Sequence, residues 1–281
     1  MAGPYRIDLR RWVQSPPWFW GFVASTVLCL LIYLLNTVLS EVNPGNWWGI
    51  TYGTLASLLM AGAGAISIRR RSMNLAARRP LGRSSVWLQF HLYGGTLALV
   101  LVFMHSGFRI PTGSLNWWLW FLSIWVVISG LFGVALQKVI PRILSSALAV
   151  EVVYERIPEL VGEISKDCKK LAEKCSEPVR LFYSKSLETV LASPEPKFIY
   201  CIDITGGIQS RIREFDFLRR VLSSDEREKL DQLESLVKTK FEIDAQYTLQ
   251  RALRWWLYTH VPVSLLLLVM IGLHLYTVWY Y

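Results

Sequence analysis

Five apolar runs, at 18–39, 50–68, 88–108, 117–137 and 256–279, set the terms on which this 281-residue chain folds. As helices, all five are long enough to cross a hydrocarbon layer of roughly 30 Å. No water is present in such a layer to satisfy backbone N–H and C=O groups, so each run is expected to close its own hydrogen bonds as a helix. The expected fold is therefore all-α, a multi-span membrane protein. The first run does not read as a signal peptide: it is too long, no small-residue cleavage site follows it, and further spans come after. Aromatic residues stand where the helices are expected to leave the bilayer: Trp18 and Trp20, Trp47 and Trp48, Trp117 and Trp118, Trp255 and Trp256, and Trp279 with Tyr280 and Tyr281.

Charge sets the expected orientation. Arg69, Arg70, Arg71, Arg78, Arg79 and Arg83 fill one linker without an acidic residue, whereas 40–49 has no Lys or Arg and 109–116 has only Arg109. The positive-inside rule puts the N-terminus and the arginine linker in the cytoplasm, with the two short linkers outside. Five spans then bring the C-terminus outside and leave the long insert cytoplasmic. The expected division is a membrane domain of spans one to four (1–137), a cytoplasmic insert (138–253) and a fifth span (254–281). An integral location in a bacterial or archaeal inner membrane is expected. The net charge of +9 follows from this topology, so nucleic acid is not an expected partner, while anionic lipid is.

The insert reads as mostly helical, interrupted by Pro158 and Pro178, with Ser193-Pro194-Glu195-Pro196 ending a helical region. Phe198–Ile202 is expected as a short strand stopped by Gly206 and Gly207. Ser223 with Glu226 resembles a capping box, and Leu230, Leu233, Leu236, Val237 and Phe241 form one apolar stripe of a helix running towards span five. Phosphate-loop, dinucleotide and cysteine-cluster motifs are absent. Of the cysteines, Cys29 lies in a span and Cys168, Cys175 and Cys201 in the insert, at spacings that suit no usual iron–sulfur site. The segment Arg6–Trp12 is expected to lie in the interface before Pro16 and Pro17. Ala61–Ala65, Gly94, Gly95, Gly107 and Gly272 suit either close helix packing or room for a planar cofactor.

The chain has four histidines, and they form two equal intervals: His91 and His105 are fourteen apart, as are His260 and His274. All four fall in spans, where an ionisable ring is expensive and usually functional. Fourteen residues rise roughly 21 Å along a helix and keep both rings on one face. Spans three and five run in the same direction, so His91 shares a depth with His260, and His105 with His274. Each cross-helix pair could give two axial nitrogens to one haem iron, with no Cys-x-x-Cys-His attachment motif needed or present. The competing readings are unrelated intramembrane histidines in a transporter or scaffold, and another metal. A tetrahedral zinc or copper site using all four is disfavoured by the roughly 21 Å rise within each helix.

This pattern resembles the di-haem cytochrome b family, the bis-histidine membrane core of bc-type complexes and of b subunits of membrane dehydrogenases and hydrogenases. The resemblance implies a four-helix di-haem bundle made of spans two to five, with one extra N-terminal span and the cytoplasmic insert outside it. It implies two non-covalent b-type haems, with His91, His260, His105 and His274 as metal ligands. The family's paired glycines on its first and third helices are not reproduced by Gly53, Gly62, Gly64, Gly130 and Gly133, and its later quinol-site helices have no counterpart.

The expected function is a b-type cytochrome subunit of an oxidoreductase complex, carrying electrons across the membrane between a redox partner and quinone or another carrier. The alternatives are a non-redox transporter or membrane scaffold with a cytoplasmic binding module, and a b-type reductase fed by another chain. No catalytic residue is assigned, and Glu41 is only a weak candidate proton partner for quinone. Arg109, four residues beyond His105, suits an outer haem propionate or a lipid headgroup; Arg254 and Arg251 suit the inner haem or a positive-inside anchor. Pro262 removes one backbone hydrogen bond beside His260 and is expected to bend or open that turn. Other subunits of a redox complex are expected to dock on 138–253.

Overall fold

A computed structural model describes residues 16–71, 82–147 and 152–280. The interfacial segment expected at Arg6–Trp12, and Arg78 and Arg79 of the arginine linker, lie outside these residues. The described chain is all-α, without a sheet: α1 (Pro16–Leu39), α2 (Trp47–Arg71), α3 (Ser84–His105), α4 (Ser114–Ala147), α5 (Ile157–Glu173), α6 (177–191), α7 (Ile199–Ile202), α8 (Ile204–Val221) and α9 (Ser224–Tyr280). Among the described residues α1, α2, α3, α4 and α9 are long and apolar enough to cross a membrane. The chain is an integral, multi-span membrane protein in architecture. It divides into two compact units, one of 1–132 with 258–281 and one of 133–257.

In the first unit the large apolar side chains of α1, such as Leu28, Leu31, Leu34 and Leu35, point outward, as lipid-facing residues do. Its one buried residue is Asn36, whose side-chain amide donates to the Tyr52 hydroxyl on α2, a polar tie between helices of the kind lipid favours. Small residues let the helices close. A β-carbon on Gly62 would stand 2.8 Å from Phe90 Cε1, and one on Gly64 would stand 2.7 Å from Leu268 Cδ1. Neighbouring side chains occupy the space beside these two glycines, as close helix packing requires. Gly272 has nothing within 4 Å of its would-be β-carbon. One buried cluster takes a residue from each of four helices: Met60 of α2, Ala98 of α3, Leu122 of α4 and Leu267 of α9.

The second unit has a conventional water-protein core. The stripe read from the sequence is buried: Leu230, Leu233, Val237 and Phe241 pack with residues of α5, α6 and α8, with Leu236 at their margin. Pro158 and Pro178 do interrupt the helices, and each stands in the first turn of the next one, where its missing N–H has no intrahelical partner to lose. Ser223 directly precedes α9, whose first turn carries Asp225 and Glu226. Arg219 joins the end of α8 to α9 through Asp231 at 2.6 Å and Glu234 at 2.6 Å.

The expected strand at Phe198–Ile202 is instead the short helix α7. Its backbone closes locally, with Tyr200 N–H to Lys197 O at 3.1 Å and Asp203 N–H to Ile199 O at 2.8 Å. With no neighbouring strand to pair with, an extended segment would leave these groups unsatisfied, whereas one helical turn satisfies several at once. Tyr200 is the anchor, buried against Gly207, where an added β-carbon would lie 3.1 Å from its ring.

Beneath this turn lies an ion pair that water does not reach: Lys240 Nζ donates to Asp244 Oδ2 at 2.7 Å, with both side chains 0% exposed. Asp244 Oδ1 also accepts from Glu195 N–H at 3.1 Å, and Thr248 Oγ1 accepts from Lys197 N–H at 3.1 Å. The pair thus fixes the Pro-rich segment onto α9. Removing one partner strands the other charge, so Asp244→Ala is expected to destabilise this unit by about 3–5 kcal/mol. The double change Lys240→Met with Asp244→Leu should recover most of that loss. Unfolding of the detergent-solubilised protein, followed by circular dichroism, measures both.

Candidate functional site: two histidine levels

The four rings pair across α3 and α9 as the spacing anticipates. His91 and His260 have ring centroids 6.3 Å apart with planes at 80°. His105 and His274 repeat both values, 6.3 Å and 80°. Two levels of one geometry are therefore stacked along the same pair of helices. Midway between them lie Ala98 and Leu267, each seven residues from both histidines of its own helix. These are the α3 and α9 members of the four-helix cluster, so buried apolar side chains lie between the levels.

Three rings are held through Nδ1. His91 Nδ1–H donates to the Ala63 carbonyl at 2.9 Å, and His105 Nδ1–H to the Gly49 carbonyl at 2.8 Å. His260 Nδ1–H donates to Ser129 Oγ at 2.8 Å, and that hydroxyl in turn donates to the Val126 carbonyl at 3.1 Å. A partner on Nδ1 fixes tautomer and ring angle and directs any coordination to Nε2.

The acceptors on α2 are a finding of their own. Gly49 and Ala63 are also fourteen residues apart, so the histidine interval on α3 is matched by a carbonyl interval on the antiparallel α2. Sequence inspection passes over this because a carbonyl belongs to every residue. The available signal was the small size of the two positions. Gly49 has no space for a side chain, since a β-carbon would meet Asn43 O and the Pro44 Cα. Gly53 lies against the His105 ring, with a would-be β-carbon 2.8 Å from Nδ1, while Gly130 leaves 3.4 Å to His260 Cε1. Of the five glycines outside the family's paired spacing, Gly53 on α2 and Gly130 on α4 are thus histidine-contact positions.

His91 falls in a π-helical segment, Phe90–Gly94, within α3. Such a widened turn is frequent at functional positions and rotates the residues after it. Beside it opens a groove of about 370 Å³ whose lining includes Trp18, Phe22, Phe90, Tyr93 and Gly94. Pro262 lies inside α9, which continues through it. Arg109 is exposed in the turn after α3. Arg254 belongs to the second unit, where it pairs with Glu155 and lies 3.9 Å over the Tyr154 ring. Glu41 is exposed.

Among the described residues there is no group of three or more His, Cys, Asp and Glu side chains able to hold a metal ion. Cys168 and Cys175 are buried free thiols. Burial, with Asp167 nearby, pushes the Cys168 thiol up to about 12, which leaves almost no thiolate at neutral pH. Comparison with family models, curated proteins and solved structures finds no match. The class defined by fold and sequence is that of an all-α membrane protein suited to embedded electron transfer or transport, and compatible with a subunit of a larger assembly.

Two outcomes follow. Gly53→Ala should displace the His105 ring from the Gly49 carbonyl and leave His91 in place, whereas Gly130→Ala should fit with little change. Imidazole nitrogen resonances of histidine-labelled protein would report both. Maleimide should modify exposed Cys201 in folded, detergent-solubilised protein and reach Cys168 only after unfolding, as read by peptide mass spectrometry.

Proposed function

We propose that this chain is a membrane electron-transfer subunit holding two b-type haems, one between His91 and His260 and one between His105 and His274. The observation that carries this reading is the ring spacing. Two imidazoles sharing a proton directly, at about 2.9 Å between nitrogens, would bring their centroids to roughly 5.2 Å or less. A metal ion bonded to both nitrogens at about 2.0 Å would spread them to roughly 6.3 Å. The centroids stand 6.3 Å apart at both levels, the spacing that a bis-histidine ion would have with both Nε2 atoms turned towards it. A pair of ligands per level is what haem requires, since the porphyrin supplies the remaining four, and a three-residue cluster is unnecessary.

Haem iron bound there supplies one-electron chemistry that no side chain of this protein offers. The chain does the rest. The Ala63 and Gly49 carbonyls and Ser129 hold the ligand rings in one orientation and strengthen them as donors. The cluster of Met60, Ala98, Leu122 and Leu267 places apolar side chains between the levels. Arg109, at the far end of α3, would meet a propionate at the His105 level. Of the two roles that its sequence position suits, inner haem or anchor, the pairing of Arg254 with Glu155 favours the anchor.

The aromatic groove beside Phe90 and Gly94 supports a lipid-soluble quinone as the carrier near the His91 level. By charge placement, that level and residues 138–253 belong on the cytoplasmic side, and the His105 level on the outer side. Other subunits would supply the remaining redox centres.

Protein purified from its membrane should give a b-type reduced-minus-oxidised spectrum with about two haems per chain. His105→Ala or His274→Ala should remove one haem and spare the other, and His91→Ala or His260→Ala should do the converse. A chain assembled in its membrane without haem would instead point to the transporter or scaffold reading.

A further inference from the structure

The second unit carries large apolar side chains in open contact with its surroundings near both ends of α8, and the direction of its helices says which of them lie near the apolar part of α9. The chain from Glu195 to Lys197 follows α9 from Asp244 to Thr248, towards the apolar run. From Ile204, α8 then turns back, and fifteen residues later Arg219 reaches Asp231 and Glu234. That is a rise of roughly 22 Å antiparallel to α9, which returns the start of α8 to about the height of Thr248. The turn 198–203 is therefore the tip of the unit closest to where α9 becomes wholly apolar. Thr248 precedes Trp255 by seven residues, or roughly 10 Å along the helix.

At this tip Tyr200 points inward, while Phe198 is 78% exposed and Ile202 72% exposed, with Ile199 half-exposed beside them. A second segment does the same at the same height. Val153 is exposed where the Val152 carbonyl accepts from Gln246 at 2.5 Å and from Gln250 at 3.2 Å. Basic residues accompany both: Arg251 and Arg254 on α9, and Lys138 on α4, five residues past the Gly133 that touches Trp256. Apolar side chains projecting beside Trp and basic residues, within about 10 Å of the interface, are the chemistry of a surface that seats in lipid headgroups.

We propose that the 198–203 turn of the second unit, through Phe198, Ile199 and Ile202, rests in the anionic headgroup layer of the same bilayer that the chain's spans cross. The occupant of this apolar face is thus lipid, and α9 is its continuous connection to the membrane. The contact gives the unit a second attachment beside the helices that enter the membrane. It does not depend on the haem reading.

Cys201, exposed in the middle of the turn, provides the probe. The full chain, with Cys29→Ser, Cys168→Ala and Cys175→Ala, is spin-labelled at Cys201 and placed in nanodiscs of phosphatidylcholine and phosphatidylglycerol. Collision with oxygen should exceed collision with a water-soluble nickel chelate several-fold. A label at Phe217→Cys in the Cys201→Ser background, near the far end of α8, should show the reverse. Adding Phe198→Glu and Ile202→Glu should raise nickel access at Cys201 towards the Phe217 value. Nickel access at Cys201 equal to that at Phe217 in the parent protein overturns the proposal. So does shielding of Cys201 from both reagents, which would mean that protein rather than lipid covers the turn. If the glutamate variant fails to fold, the parent comparison decides alone.

Discussion

Two imidazole-to-carbonyl bonds set the register on which the membrane unit depends. A helix in lipid has its N–H and C=O groups already paired, so its neighbours can slide or rotate with little penalty unless something marks a height. Here His91 marks one height on α2 at Ala63, and His105 marks another at Gly49. Both marks carry the same interval on both helices, so a one-turn slip would lose both bonds together. The buried Asn36–Tyr52 bond fixes α1 to α2 in the same way. Once α3 is placed, the equal interval on α9 brings His260 and His274 to the matching heights, and Ser129 secures the His260 level from α4.

The spans, the helical character of the insert and the cross-helix pairing of the histidines were legible in the sequence because side chains encode them. Apolar runs, a helical stripe and four rare rings in equal intervals are patterns of residue identity. The carbonyl partners were not legible, since Gly49 and Ala63 differ from other small residues only in what their backbone touches. Gly53 and Gly130 were visible as small residues, but their task appeared only once a ring was found against each. The turn 198–202 was misread as a strand for a related reason. Its composition suits a strand, but the described residues hold no partner strand, and the burial of Tyr200 goes with a helical turn.

Polar groups do different work in the two units. In the second unit, Lys240 and Asp244 sit inside a core that could be apolar, and a buried pair of that kind gains little stability over a well-packed apolar substitute. Its evident effect is positional: Asp244 also holds the backbone of Glu195, which sends the chain along α9 to the 198–203 turn. In the membrane unit the histidine rings are likewise positioned by backbone and hydroxyl groups. There each partner fixes the angle of the ring that it touches.

This difference bears on why the two levels share one geometry. Ring planes at 80° and centroids at 6.3 Å recur at both levels, and at each a backbone carbonyl of α2 holds the α3 ring. Chance placement of intramembrane histidines would give no reason for both values to repeat. A fourteen-residue interval is nearly four helical turns, so it returns each ring almost to its starting azimuth, and two parallel helices with equal intervals reproduce at the second level whatever crossing they have at the first. The repeated interval therefore duplicates a single ring-pair geometry. What differs between the levels is their surroundings: a widened π-helical turn and an aromatic groove at the His91 level, and the end of α3 with exposed Arg109 at the His105 level.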